Sequence, residues 1–85
     1  MVLVKLPSLV AEQAGGRREF NVEGVTLGDA LRSLPVADML IDERGELRPL
    51  VNVYVDGEDA RRGEGLDTPL AGATEVRVIA AVAGG

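Results

Sequence analysis

Apolar and polar positions alternate with a period of two in four stretches of this chain, and recur with helical spacing in one. Val2, Val4 and Leu6 share one side of an extended segment, with Leu3 and Lys5 on the other, and Pro7 ends the run. This predicts a first strand. Residues 9–13 read as a loop or a helical turn, and Gly15-Gly16 marks a turn. Residues 18–22 alternate again, with Phe20 and Val22 turned inward. They form a second strand that hairpins onto the first, and each side chain fully buried there contributes roughly 1.5–3 kcal/mol.

The period then changes. Leu27, Ala30, Leu31 and Leu34 lie at i, i+3, i+4 and i+7, one stripe of an α-helix. Thr26 sits before that stripe with Asp29 three residues on, the pattern of a capping box, and Asp29 suits the positive end of the helix dipole. Gly28 weakens the helix by roughly 1 kcal/mol relative to alanine, and Pro35 stops it. Residues 36–41 read as one helical turn leading into an extended piece, and residues 42–46 as a charged, solvated loop around Gly45.

Residues 50–55 carry the clearest strand pattern, with Val51, Val53 and Val55 on one face and Asn52 and Tyr54 on the other. Asp56-Gly57 follows, a strong hairpin signal, and residues 58–61 are expected to return as a short strand. Leu66 and Leu70 bracket Thr68-Pro69, a tight turn that drops both leucines into the core. Residues 75–79 form the last strand, with Val76 and Val78 inward and Arg77 and Ile79 outward. The order strand, strand, helix, strand, short strand, strand predicts an α+β domain, one sheet with one helix on its face. That domain spans residues 1–79, and residues 80–85 form a flexible tail of small side chains ending in Gly84-Gly85.

Length and composition then restrict function. Eighty-five residues make one small domain. Phe20 and Tyr54 are its only aromatics, so the core is aliphatic. No Cys and no His are present, so there is no disulfide, no thiolate nucleophile and no imidazole base to activate Ser8 or Ser33. The chain is not expected to be an enzyme. A net charge of −5 disfavours nucleic acid and suits a basic protein partner. No apolar run spans a bilayer and no signal peptide opens the chain, so a cytoplasmic protein, monomeric when free, is expected.

Other features have plain readings. Asp56, Glu58 and Asp59 lack Ca²⁺-loop spacing. Arg17-Arg18 and Arg61-Arg62 read as solvated surface, and Gly63 and Gly65 do not make a phosphate loop. Leu3, Tyr54 and Ile79 fall on the sheet face away from the helix and form a candidate partner-binding patch.

The terminal diglycine is the one feature with chemistry of its own. A carboxylate to be activated inside a partner enzyme must pass a narrow channel, where a Cβ obstructs and glycine does not. Five extended residues reach roughly 16 Å. Ala81, Val82 and Ala83 would enter that site, and Gly85, preceded by Gly84, would carry the reacting carboxylate.

With Val4-Lys5-Leu6, Ala14-Gly15-Gly16, the helix opening Val25-Thr26-Leu27-Gly28-Asp29-Ala30-Leu31 and the ending Val82-Ala83-Gly84-Gly85, the sequence resembles the ThiS/MoaD family of sulfur carriers over nearly its whole length. The resemblance implies a β-grasp (ubiquitin-like) fold, a mixed four- to five-stranded sheet with one main helix. Within the family, Asp42-Glu43-Arg44-Gly45-Glu46-Leu47-Arg48 and the run from Val51 to Asp59 resemble the carriers that serve cysteine synthases. Molybdopterin-type carriers usually have prolines where Ala80-Ala81 stand here. The family implies that an E1-like enzyme, holding ATP and Mg²⁺, adenylates the Gly85 carboxylate. A sulfur donor then makes the thiocarboxylate, and a second enzyme takes the sulfur. In the cysteine branch the acceptor is a synthase that uses pyridoxal phosphate, and a metallopeptidase releases the product. No cofactor is expected on this chain itself. The alternatives are a molybdopterin- or thiamin-type carrier, a ubiquitin-like modifier joined to lysines through Gly85, and an interaction domain that only shares the fold.

Overall fold

The computed structural model describes residues 1–80. Its strands are β1 (Val2–Lys5), β2 (Glu19–Val22), β3 (Val51–Val55), β4 (Glu58–Asp59) and β5 (Glu75–Ala80). They form one five-stranded sheet in the order β2-β1-β5-β3-β4. β1 lies antiparallel to β2 and parallel to β5, and β5 lies antiparallel to β3. The sheet is therefore mixed, and the fold is the β-grasp.

One face is covered. Val4, Val53 and Val76 are fully buried beneath α2 (Leu27–Arg32), which contributes the fully buried Leu27, Ala30 and Leu31. The expected capping box is present: Thr26 Oγ1 accepts from the Asp29 N–H at 3.3 Å, and the Asp29 carboxylate accepts from the Thr26 N–H at 3.2 Å. Gly28 has a packing role beyond its helix cost. A Cβ there would stand 3.2 Å from the Leu66 carbonyl oxygen, so the missing side chain lets α2 close onto the 3-10 turn Gly65–Asp67. The extended piece after Pro35 is led in by the short helix α3 (Ala37–Leu40), and Ile41 bridges to Leu47 across the charged loop.

Several local expectations change. Of the two readings of residues 9–13 the helical one holds: α1 (Ser8–Ala11), a single turn, is followed by a 3-10 turn, Glu12–Ala14, and Val10 and Ala11 enter the core. Phe20 and Val22 do point to the core side but remain half-buried, because β2 is an edge strand. Arg17 stacks on Phe20, its guanidinium carbon 4.5 Å from the ring centroid, so it is not merely solvated. The return strand stops at Asp59, whose carboxylate caps the 3-10 turn Ala60–Arg62 and buries Ala60. Leu70 is buried, while Leu66 packs half-buried against the core. β5 runs one residue further than expected, and Ala80 pairs with Val51, so Ala80 belongs to the sheet rather than to the tail.

Asp56 and Gly57 have φ of 48° and 87°, the two left-handed residues of a type I′ hairpin turn. The Asp56 carboxylate also reaches across to β5. It accepts from the Glu75 N–H at 2.9 Å, the Thr74 hydroxyl at 2.9 Å and the Thr74 N–H.

Candidate functional site

β1 and β5 run parallel, so their C-terminal ends lie at the same end of the sheet, where β5 leads into residues 81–85. Ala81, Val82, Ala83, Gly84 and Gly85, the residues expected to enter a partner's active site and carry the reacting carboxylate, lie outside the described residues. The described part of the site is therefore the end of β5 and the surface around it.

Leu3, Tyr54 and Ile79 all fall on the uncovered face, as the alternation requires, but the register does not join them into one patch. Tyr54 pairs with Arg77 and Ile79 with Asn52, which makes Tyr54 and Ile79 diagonal neighbours. Leu3 pairs with Glu75 and lies beyond a charged row. In that row Glu75 takes two cations, Lys5 at 3.4 Å and Arg77 at 3.3 Å. Pairs this exposed contribute about 0–1 kcal/mol each, so the row shapes the surface's charge more than its stability.

Leu50 was missed as a site residue. It is 51 % exposed, beside Ile79 at 44 %. It lies in the turn that the Val51 N–H closes onto the Arg48 carbonyl at 3.0 Å, just before β3 begins. Tyr54 and Ile79 share the uncovered face, and Leu50 stands exposed in the turn that leads into β3.

Arg61, expected as solvated surface, holds this end together. Its guanidinium donates to the Arg48 carbonyl at 2.9 Å, to the Val51 carbonyl and to Asn52 Oδ1 at 3.4 Å. β4 is too short to reach this part of β3, and Arg61 satisfies the edge carbonyl that a longer strand would have taken. Val51 is the residue paired with Ala80.

The acidic cluster at the far end is not arranged for a metal. Asp56 is occupied by Thr74 and Glu75, and among the described residues no three acidic or other ligating side chains converge. The bond from the Glu75 N–H, followed by those from the Thr74 hydroxyl and N–H, holds the Asp56 carboxyl below its ordinary pKa. The Glu46 N–H, then that of Arg44, does the same for Asp42 within the charged loop. No helix among the described residues is long and apolar enough to cross a membrane.

With this geometry in view, the sequence matches the ThiS family over residues 4–85, through the last glycine. The chain belongs to the ThiS family. This ThiS-family chain is 35 % identical to the sulfur carrier protein CysO of Mycobacterium tuberculosis over a 91-residue alignment covering 99 % of this chain and 98 % of that protein. The crystal structure of M. tuberculosis CysO superposes with a TM-score of 0.86 at 31 % identity, covering 96 % of this chain and all of that one. CysO in the Amycolatopsis orientalis BexX/CysO complex superposes with a TM-score of 0.85 at 28 % identity, over the full length of both. Small archaeal modifier protein SAMP1 from Haloferax volcanii superposes with a TM-score of 0.74 at 32 % identity, covering 99 % of this chain and 98 % of that one.

Proposed function

We propose that this chain is a sulfur carrier that works through the Gly85 carboxylate, adenylated by an E1-like enzyme and converted to a thiocarboxylate. The observation that carries the reading is the end-to-end match to the ThiS family and to CysO, which takes in the glycine pair at 84 and 85. The chain is a co-substrate of partner enzymes rather than an enzyme. The BexX/CysO complex shows a relative of this chain engaged with another protein.

The chemistry asks little of the described residues. ATP and Mg²⁺ are held by the activating enzyme. Adenylation joins the Gly85 carboxylate to the nucleotide's α-phosphate and releases pyrophosphate. A sulfide-level donor then attacks the acyl carbon and AMP leaves. The sheet face with Tyr54 and Ile79, together with the exposed Leu50 in the turn before β3, docks the enzyme. The core keeps that surface rigid, so little ordering entropy is spent on binding.

For the acceptor, likeness to CysO favours a cysteine synthase that uses pyridoxal phosphate, with a metallopeptidase cutting the product from the carrier. The test is reconstitution. The thiocarboxylated chain, incubated with the pyridoxal-phosphate synthase of the same genome and an activated serine ester, should become heavier than the unmodified carboxylate chain by one cysteine residue, its sulfur the one the carrier already held and its three-carbon part taken from the ester as the ester group leaves. A carrier that stays an unreacted thiocarboxylate under those conditions excludes the cysteine branch and leaves the molybdopterin and thiamin branches.

Likeness to SAMP1 supports a second reading, conjugation through Gly85 to lysines of other proteins. Tryptic digests of the native proteome distinguish the two: a modifier leaves branched remnants on lysines of other proteins, and a dedicated carrier leaves none.

A further inference from the structure

β5 outruns its neighbour on one side. β3 accompanies it to Ala80, but β1 pairs with it only from Leu3 to Lys5, opposite Glu75 to Arg77. The next residue of the chain that would bond to β5 is Pro7, which has no N–H to offer and whose carbonyl accepts from the Ala11 N–H at 2.8 Å, while the Leu6 N–H only continues the β1–β2 ladder to the Arg18 carbonyl. The direction of the backbone groups follows from the ladder. The Asp56 N–H donates to the Glu75 carbonyl and the Leu3 N–H to the Thr74 carbonyl. Odd-numbered residues of β5 therefore bond to β3 and even-numbered ones face β1. The Val78 carbonyl and the Ala80 N–H are thus left on an open edge.

That edge borders a groove of ≈ 380 Å³ lined by Lys5, Leu6, Pro7, Arg18, Glu19 and Arg77, together with Val78 and Ile79. Three cations and one acid line it, in a chain whose net charge is −5. Lys5, Arg18 and Arg77 stand against two carboxylates, Glu19 opposite Lys5 and Glu75 shared by Lys5 and Arg77, so one positive charge is left over.

We propose that an extended, acid-bearing segment of the activating enzyme adds to this edge of β5 as a short strand, with its carboxylate received by Lys5 and Arg77. The occupant follows from continuity and charge. The strand with the open edge runs directly into residues 81–85, so the enzyme that receives Gly85 must lie beside it, and the groove's sign selects an acidic segment. Backbone bonds made here would set the direction in which the following residues enter the enzyme. This inference rests on the carrier reading above.

The test is pyrophosphate exchange into ATP, catalysed by the E1-like enzyme of the same genome with the full-length chain as substrate. Lys5→Gln with Arg77→Gln should raise KM about tenfold at low ionic strength, leave kcat unchanged, and remove most of the salt dependence of KM. Arg44→Gln with Arg62→Gln, which removes two cations away from the groove, should leave KM unchanged. Ala80→Pro deletes the edge donor without touching the β3 ladder and should raise KM about fivefold, by loss of one backbone hydrogen bond. Ala80→Ser, which keeps the N–H, should behave as the parent chain. Melting curves that match the parent's would assign these changes to binding rather than folding. An unmoved KM in Ala80→Pro overturns strand addition even where the charge variant binds weakly. An equal loss in the two charge-deletion pairs overturns the groove as the site of recognition. If the parent chain supports no exchange, the carrier reading itself fails and this inference falls with it.

Discussion

At one end of the sheet Asp56 ties the β3–β4 turn to the start of β5 with three donors, one of them a hydroxyl. At the other end β5 passes the last residue of β1, Leu50 and Ile79 stand exposed, and Lys5, Arg18 and Arg77 line an open groove. The first end uses its polar groups internally. The second leaves backbone and charge unpaired. The same strand joins the two, so the locked end can hold the open end in place without taking part in its chemistry. A fold of this size serves as a handle for a chain terminus: rigid where the strand begins, unfinished where it leaves.

The contrast can be broken most severely from beneath. Leu31→Ala empties a fully buried site under the sheet and should cost about 2–5 kcal/mol. Urea unfolding reads that loss, while the fraction still folded should be activated with the parent's KM. A matching loss in KM would mean that the core and the docking surface are not separable.

Gly24→Ala tests the loop before the helix cap. A Cβ at position 24 would stand 2.8 Å from the Ala30 backbone nitrogen, so the loop or the helix must move, at a cost of about 1–3 kcal/mol. A thermal melt equal to the parent's would show that the loop yields freely there.

The open end responds to Leu50→Ser combined with Ile79→Asp. Both side chains are largely exposed, so stability should change by no more than about 0.5 kcal/mol. KM for activation should rise about tenfold, the loss of one hot-spot contact. An unchanged KM removes this face from the docking surface.

The smallest effect sharpens the locked end. Asp56 has a folded-state pKa below its ordinary value, so its contribution to stability is present above that ordinary value and is lost as pH falls through the folded one. Asp56→Asn keeps a residue suited to a positive φ but removes the carboxylate. The variant should melt lower than the parent at neutral pH, with the gap closing in acid. Part of the acid slope should survive, because Asp42 is held low in the same sense. A gap independent of pH would show that the charge of Asp56 is not what the donors stabilise.

Much of this was legible in the sequence, because period and punctuation agreed. The alternation of Val51, Val53 and Val55, the Thr26 and Asp29 cap and the Asp56-Gly57 turn each depend on neighbours only a few residues away. What the sequence hid depends on distant partners. Residues 9–13 leave loop and helical turn open because a single turn is too short to show a period, and the burial of Val10 and Ala11 appears only in the fold. Arg61 read as solvent-facing because its acceptors, Arg48, Val51 and Asn52, come together only once β3 is placed. Gly28 read as a cost because Leu66 was not yet beside it. The separation of Leu3 from Tyr54 and Ile79 follows from β5 lying between β1 and β3, a strand order that alternation alone does not specify.

The central claim, that Gly85 carries sulfur, is tested most directly by an intact-mass spectrum of the chain purified from its native host. The account predicts a fraction of molecules heavier by the exchange of one oxygen for sulfur, absent when Gly84-Gly85 is deleted while the melting temperature stays unchanged. A terminus that stays unmodified, even after incubation with ATP, the E1-like enzyme and a sulfur donor, would contradict it.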